Sequence, residues 1–139
     1  MTHPVTFAIP GDAVAKGRPR MTRTGRAFTP ARTVNAEAFV RMAAVEAMAG
    51  QPPLDGPVRL VMRAITVPAA SWSQKRQAIA LAGGERPTKR PDLDNQLKLI
   101  TDAINGIVYR DDCQICEVRA SKCYGPQAVT VVTVEAITP

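Results

Sequence analysis

Five carboxylates and a lysine crowd one stretch of this chain, RPDLDNQLKLITDAINGIVYRDDCQI, from Arg90 to Ile115. Asp92 and Asp94 stand two apart, Asp111 and Asp112 are adjacent, and Lys98 and Asp102 fall between the pairs. The chain carries a net charge of +6, so acids gathered in one place call for an explanation. They could be helix caps and turn residues, for which aspartate is well suited. They could instead hold a metal ion against a phosphate. Asp94, Lys98 and Asp102 step by four and so share one face of a helix. If Arg90 to Asp94 is extended, Asp92 points the same way as Asp94. Two carboxylates held together raise each other's pKa, and Mg²⁺, which prefers carboxylate and water oxygens, removes that penalty. Asp111 or Asp112 could supply a further ligand. Adjacent residues face opposite ways near a strand, so only one of them fits, and spacing does not choose between them.

The chemistry such a set supports is metal-assisted hydrolysis of a phosphodiester. Lys98 could offset charge developing on the phosphate. Its plainer role is an i,i+4 ion pair with Asp94 or Asp102, worth about 0.3–0.5 kcal/mol. The sole histidine, His3, is remote, so no histidine-activated nucleophile competes.

Several elements must position these residues. VTFAI (Val5 to Ile9) reads as a strand closed by Pro10-Gly11. Lys16 to Arg32 carries Lys16, Arg18, Arg20, Arg23, Arg26 and Arg32 without an acid, and its glycines and prolines predict a loop or hairpin. TVNAEAFVRMAAVEAMAG predicts a helix capped by Asn35 and stopped at Gly50. PVRLVMRAITV alternates as a strand, with Val58, Leu60, Met62 and Ala64 inward. SWSQKRQAIALAGG predicts a short helix capped by Ser71 or Ser73. After the basic loop ERPTKRPD, Asp92 or Asp94 can cap a helix whose buried stripe is Leu93, Leu97, Ile100 and Ile104. IVY predicts a brief strand, and the last two strands, CQICEVRASKCY and AVTVVTVEAI, a hairpin turning at Gly125-Pro126. This order predicts one α+β domain over residues 1–139, two-layered, with a mixed or antiparallel sheet and helices on one face.

The totals bound the function. A length of 139 residues suits one domain with its own core. A pI near 9.7 favours a polyanionic partner. No apolar run reaches the roughly 20 residues that span a bilayer. The first residues lack a signal-peptide core, which predicts a cytoplasmic protein, nucleoid-associated when bound to DNA. Cys113 and Cys116 form a C-x-x-C, but the stretch reads as a strand that points them to opposite faces. Core packing is therefore expected of the cysteines, without zinc or disulfides.

The acid-rich stretch resembles the signature of the RusA family of Holliday junction resolvases, small Mg²⁺-dependent endonucleases of bacteria and prophages. That pattern is matched by Asp92, Asp94, Asn95, Lys98, Asp102, Ala103, Asp111, Asp112, Gln114, Ile115 and Lys122. KGRPRMTRTGRAFTPART is similar to the N-terminal region of the prophage-type branch. One departure is Gln96, where leucine is more usual, a change suited to a solvent-facing position. The resemblance implies that Asp92, Asp94 and Asp112 bind the metal, Mg²⁺ with Mn²⁺ as a substitute, and that Lys98 assists catalysis. It also implies a homodimer whose paired sites nick opposed strands of four-way DNA, with no membrane and no small-molecule cofactor. Lys16, Arg18, Arg20, Arg23, Arg26, Lys75, Arg76, Lys89 and Arg90 become candidate phosphate contacts, read by charge and shape. Two other readings remain: a DNA-binding module whose acids are structural, and a nucleotide phosphohydrolase, which the absence of a P-loop disfavours.

Overall fold

The computed structural model describes residues 3–17, 20–28 and 31–139. Its order is β1 (Val5–Pro10), β2 (Arg20–Met21), β3 (Ala27–Phe28), α1 (Ala31–Met48), β4 (Val58–Thr66), α2 (Gln74–Leu81), α3 (Leu93–Ala103), β5 (Ile115–Tyr124) and β6 (Val129–Ala136). Four strands form a mixed sheet in the order β1-β6-β4-β5. Only β4 and β5 run parallel; β6 is antiparallel to both β1 and β4. The basic N-terminal segment forms the separate hairpin β2-β3.

Strand β4 shows the alternation its sequence dictates. Val58, Leu60, Met62 and Ala64 are buried, and the first three meet Val132 and Val134 of β6 in one core with residues of α1 and α3. The other face is polar: Arg59 bonds Glu117 of β5 and, at 2.8 Å, Glu135 of β6. The architecture is the two-layer α+β domain expected, with α1 packed on β1 and α3. Ser73 caps α2 by accepting from the Arg76 amide at 3.2 Å. No described helix is long and apolar enough to cross a membrane.

Some local expectations give way. β5 and β6 flank β4 on opposite sides, so Gly125-Pro126 does not turn a hairpin between paired strands. The valine-rich β6 needs neighbours on both edges, whereas the charged β5 tolerates an edge. α1 begins at Ala31, a turn before Asn35, which caps nothing. It does end where expected, with Ala49 and Gly50 at φ of 50° and 80°. Val108 and Tyr109 are buried in a turn bridged to Leu54 and Asn105, not in a strand. The face that α3 buries is rotated from the expected one: Gln96, Leu99, Ile100 and Ala103 are inside, with Ile104 just past the helix end. Leu93 and Leu97 sit half-buried at the core margin. Cys113 and Cys116 are exposed and Cys123 is half-buried, all three free, because Cys113 lies in a surface turn and Cys116 on an edge strand.

Candidate active site

Helix α3 carries most of the candidate chemistry. Asp92 occupies its N-cap position with extended φ and ψ of −65° and 142°, yet its carboxylate bonds no backbone amide of the helix. Asp94 lies in the first turn, where the helix dipole favours an anion. Both acids thus sit at a helix mouth, not along an extended segment. Among the described residues neither forms an ion pair or a side-chain hydrogen bond, and both are exposed. Capping therefore does not account for Asp92.

One face of the helix runs from Asp94 through Lys98 to Asp102, as the four-residue steps require. Asp102 is committed: Lys16 Nζ stands 2.6 Å from its carboxylate and Lys98 Nζ 3.8 Å. Lys16 also reaches Glu37 of α1 at 3.3 Å. Its pKa is raised chiefly by the bond to Asp102, against the opposing effect of burial. Lys16 thereby ties the N-terminal segment to α3 and α1. Lys98 is only loosely held and remains 64% exposed.

The second acidic pair follows a buried tether. Tyr109 is fully buried, and its hydroxyl donates to the Thr101 carbonyl near the end of α3 at 2.7 Å. Burial, reinforced by the charges of Asp112, Asp102 and Asp111, pushes its phenol well up. Beyond it, Asp111 and Asp112 part company. Asp111 caps a 3₁₀ turn, Asp112–Gln114, by accepting from the Cys113 amide at 3.1 Å. Gln114 completes the capping box: its Oε1 accepts from the Arg110 and Asp111 amides at 2.8 and 3.0 Å. Its Nε2 donates to the Leu54 and Gly56 carbonyls, both at 2.9 Å, which ties the turn to the chain before β4.

The bond from the Cys113 amide is the main cause that holds Asp111 below the ordinary carboxylate range. Asp112 is pushed above it, first by its contact with Asp111, then by burial and by the charges of Asp111 and Asp102, with Lys98 opposing. Asp112 therefore lies within electrostatic reach of the α3 face. Its crowding by like charge is what a divalent cation would relieve, and the donors are all hard oxygens, so the residues fit such an ion by chemistry. As placed, no three His, Cys, Asp or Glu side chains among the described residues converge as a ready metal cage.

Basic groups border the helix mouth. A cleft of about 310 Å³ is lined by Arg32, Lys89, Arg90 and Lys122, and an adjoining one of about 520 Å³ by Arg32, Arg90, Asp92 and Asn95. Arg23 and Arg26 are exposed at the β2-β3 hairpin and Lys75 on α2. Arg76 lies 3.6 Å above the Trp72 ring and grips Glu85 through two bonds, of 3.2 and 2.9 Å. Arg18 and the Arg20 side chain lie outside the described residues.

Three parts of this arrangement lie outside the expectations drawn from residue types and spacing: the Tyr109 tether, the Gln114 bracket and the burial of Gln96. The signal for the second was present, because Asp111-Asp112-Cys113-Gln114 has the spacing of a capping box. Gln96 is 3% exposed, so it does not face solvent as its substitution for leucine suggested.

Fold and site describe a small basic α+β protein that presents uncommitted carboxylates at a helix mouth, close to cationic clefts. Comparison with known proteins makes that class specific. Residues 10–135 match the family of endodeoxyribonuclease RusA, and the chain belongs to it, as the acid-rich stretch implied. The chain is also 32% identical over 128 residues to the uncharacterized protein YqaN of Bacillus subtilis (strain 168), which covers 88% of this chain and 89% of that protein.

Proposed function

We propose that this endodeoxyribonuclease resolves four-way DNA junctions by paired symmetric nicks, as a homodimer that depends on Mg²⁺, with Mn²⁺ as a substitute. The observation that carries the reading is the division of labour among the acids. Asp102 is spent on Lys16 and Asp111 on a turn, which leaves Asp92 and Asp94 without partners among the described residues and Asp112 held only against Asp111. These three would hold the metal, which when bound would polarise a phosphoryl oxygen and acidify a water.

The remaining roles belong to the chain. Lys98, exposed beside Asp94 and opposing the negative charge at Asp112, offsets charge at the scissile phosphate. Lys89 and Arg90 meet the strand next to Asp92, and Arg23, Arg26 and Lys75 meet more distant phosphates. Lys16 acts from behind by fixing Asp102. Support for a homodimer comes from α1, which is apolar on its outer side too: Val34, Phe39, Met42 and Val45 are 51%, 66%, 69% and 57% exposed. A stripe of that kind suits a protein interface, and two-fold symmetry suits paired incisions.

The test is a synthetic four-way junction incubated with the protein and a graded series of Mg²⁺ or Mn²⁺. Opposed nicks that appear only with the cation, and far slower nicking of linear duplex, are expected. Binding without incision under every divalent ion would instead identify a DNA-binding module.

A further inference from the structure

The segment that presents Asp92 is held from beneath by two side chains that bear no carboxylate. Lys122, on β5 and level with Ala64 of β4, extends its ammonium under the loop before α3. Its Nζ donates to the Lys89 carbonyl at 2.6 Å and to the Pro91 carbonyl at 3.2 Å. Gln96, one turn into α3, donates its Nε2 to the same Pro91 carbonyl at 2.8 Å. Pro91 immediately precedes Asp92, so its peptide sets the direction in which the first acid leaves the loop.

Two features separate this arrangement from ordinary packing. Among the described residues Lys122 forms no ion pair, so its charge is directed at backbone oxygens rather than at an acid. Gln96 is 3% exposed and its Oε1 accepts nothing, a burial that an apolar side chain would make at lower cost. What the amide contributes is the second donor on Pro91.

We infer that Lys122 and Gln96 are positioning residues: they clamp the Lys89–Pro91 backbone so that Asp92 and Asp94 are presented together at the mouth of α3. This rests on the metal-binding role proposed above for the two acids. Partners that orient metal ligands from behind change metal affinity or activity by roughly 10–100-fold when removed.

Lys122→Met keeps the aliphatic stem and removes the donor. Hydrogen exchange is read first, on the metal-free protein. The position-96 amide, the first at this helix mouth to find an acceptor (the Asp92 carbonyl, 3.0 Å), should exchange about tenfold faster in the variant, while amides of β4 stay unchanged. The Mn²⁺ dissociation constant should rise by about tenfold or more. Lys122→Arg should restore most of the Mn²⁺ affinity. Gln96→Leu should shift both readouts the same way by a smaller factor, and it carries the test if Lys122→Met melts below the assay temperature. Unchanged exchange at the position-96 amide, or faster exchange spread evenly through β4 and β5, would overturn the clamp. A wild-type protein that binds no Mn²⁺ would defeat the metal reading instead, and the local exchange contrast would still decide whether the clamp exists.

Discussion

Asp111 and Asp112 are neighbours of one chemical type, and substitution should separate them cleanly. Asp111 accepts from the Cys113 amide and opens a capping box, so its oxygen is needed and its charge is not. Asparagine caps about as well as aspartate, and replacing such a cap by alanine costs about 0.5–2 kcal/mol. For a chain of this size, 1 kcal/mol corresponds to a shift in Tm of roughly 2–6 °C. Asp111→Asn should therefore match wild type in melting and in junction cleavage. Asp111→Ala should melt several degrees lower and still cleave at low temperature. Asp112 is crowded by Asp111 and Asp102, so Asp112→Asn relieves repulsion and should melt no lower than wild type. Cleavage by that variant should fall by about a hundredfold or more, as its proposed role as a metal ligand requires. Thermal melts monitored by circular dichroism and single-turnover cleavage on labelled junctions give both quantities. Loss of cleavage in Asp111→Asn together with full activity in Asp112→Asn would refute the assignment.

Three further outcomes are expected. Tyr109→Phe removes a buried bond to the Thr101 carbonyl and leaves that acceptor unpaired, which should lower stability in urea by about 1–3 kcal/mol. Glu85 has its carboxylate pKa held below the ordinary 4.5 chiefly by its bonds to Arg76. The pair's contribution is thus present above 4.5 and fades as pH falls through the lowered value, so the difference in Tm between wild type and Glu85→Gln should hold near neutrality and shrink to zero in acid. Met42→Glu places a charge in the exposed apolar stripe of α1 and should shift sedimentation from dimer towards monomer without lowering the Tm of the monomeric fold.

Much of the frame was legible because it rests on local periodicity. β4 alternates strictly, Ser73 precedes its helix in a standard capping position, and the four-residue steps placed Asp94, Lys98 and Asp102 on one face. The pairing of β5 was not legible by proximity, since strands adjacent in sequence need not be adjacent in a sheet. Its charges, set against the valines and threonines that fill most of β6, did carry the distinction between edge and centre. In α3 the large residues suggested the stripe, but Gln96 and Ala103 take the inward face that includes Leu99 and Ile100. At the site, residue types announced the acids, while the partners that distinguish them come from segments far apart in the chain: Lys16 for Asp102, and Leu54 and Gly56 for the Gln114 turn. No spacing within Arg90 to Ile115 contains those contacts.

The central claim is that the acids at the mouth of α3 do chemistry and do not merely shape the fold. Asp94→Asn tests it most directly, because this exposed side chain makes no hydrogen bond or ion pair among the described residues. The measurement is single-turnover cleavage of a four-way junction in Mg²⁺, paired with junction affinity and Tm for the same preparation. Cleavage should drop by about a hundredfold or more, with affinity and melting close to wild type. Cleavage equal to wild type would contradict the account.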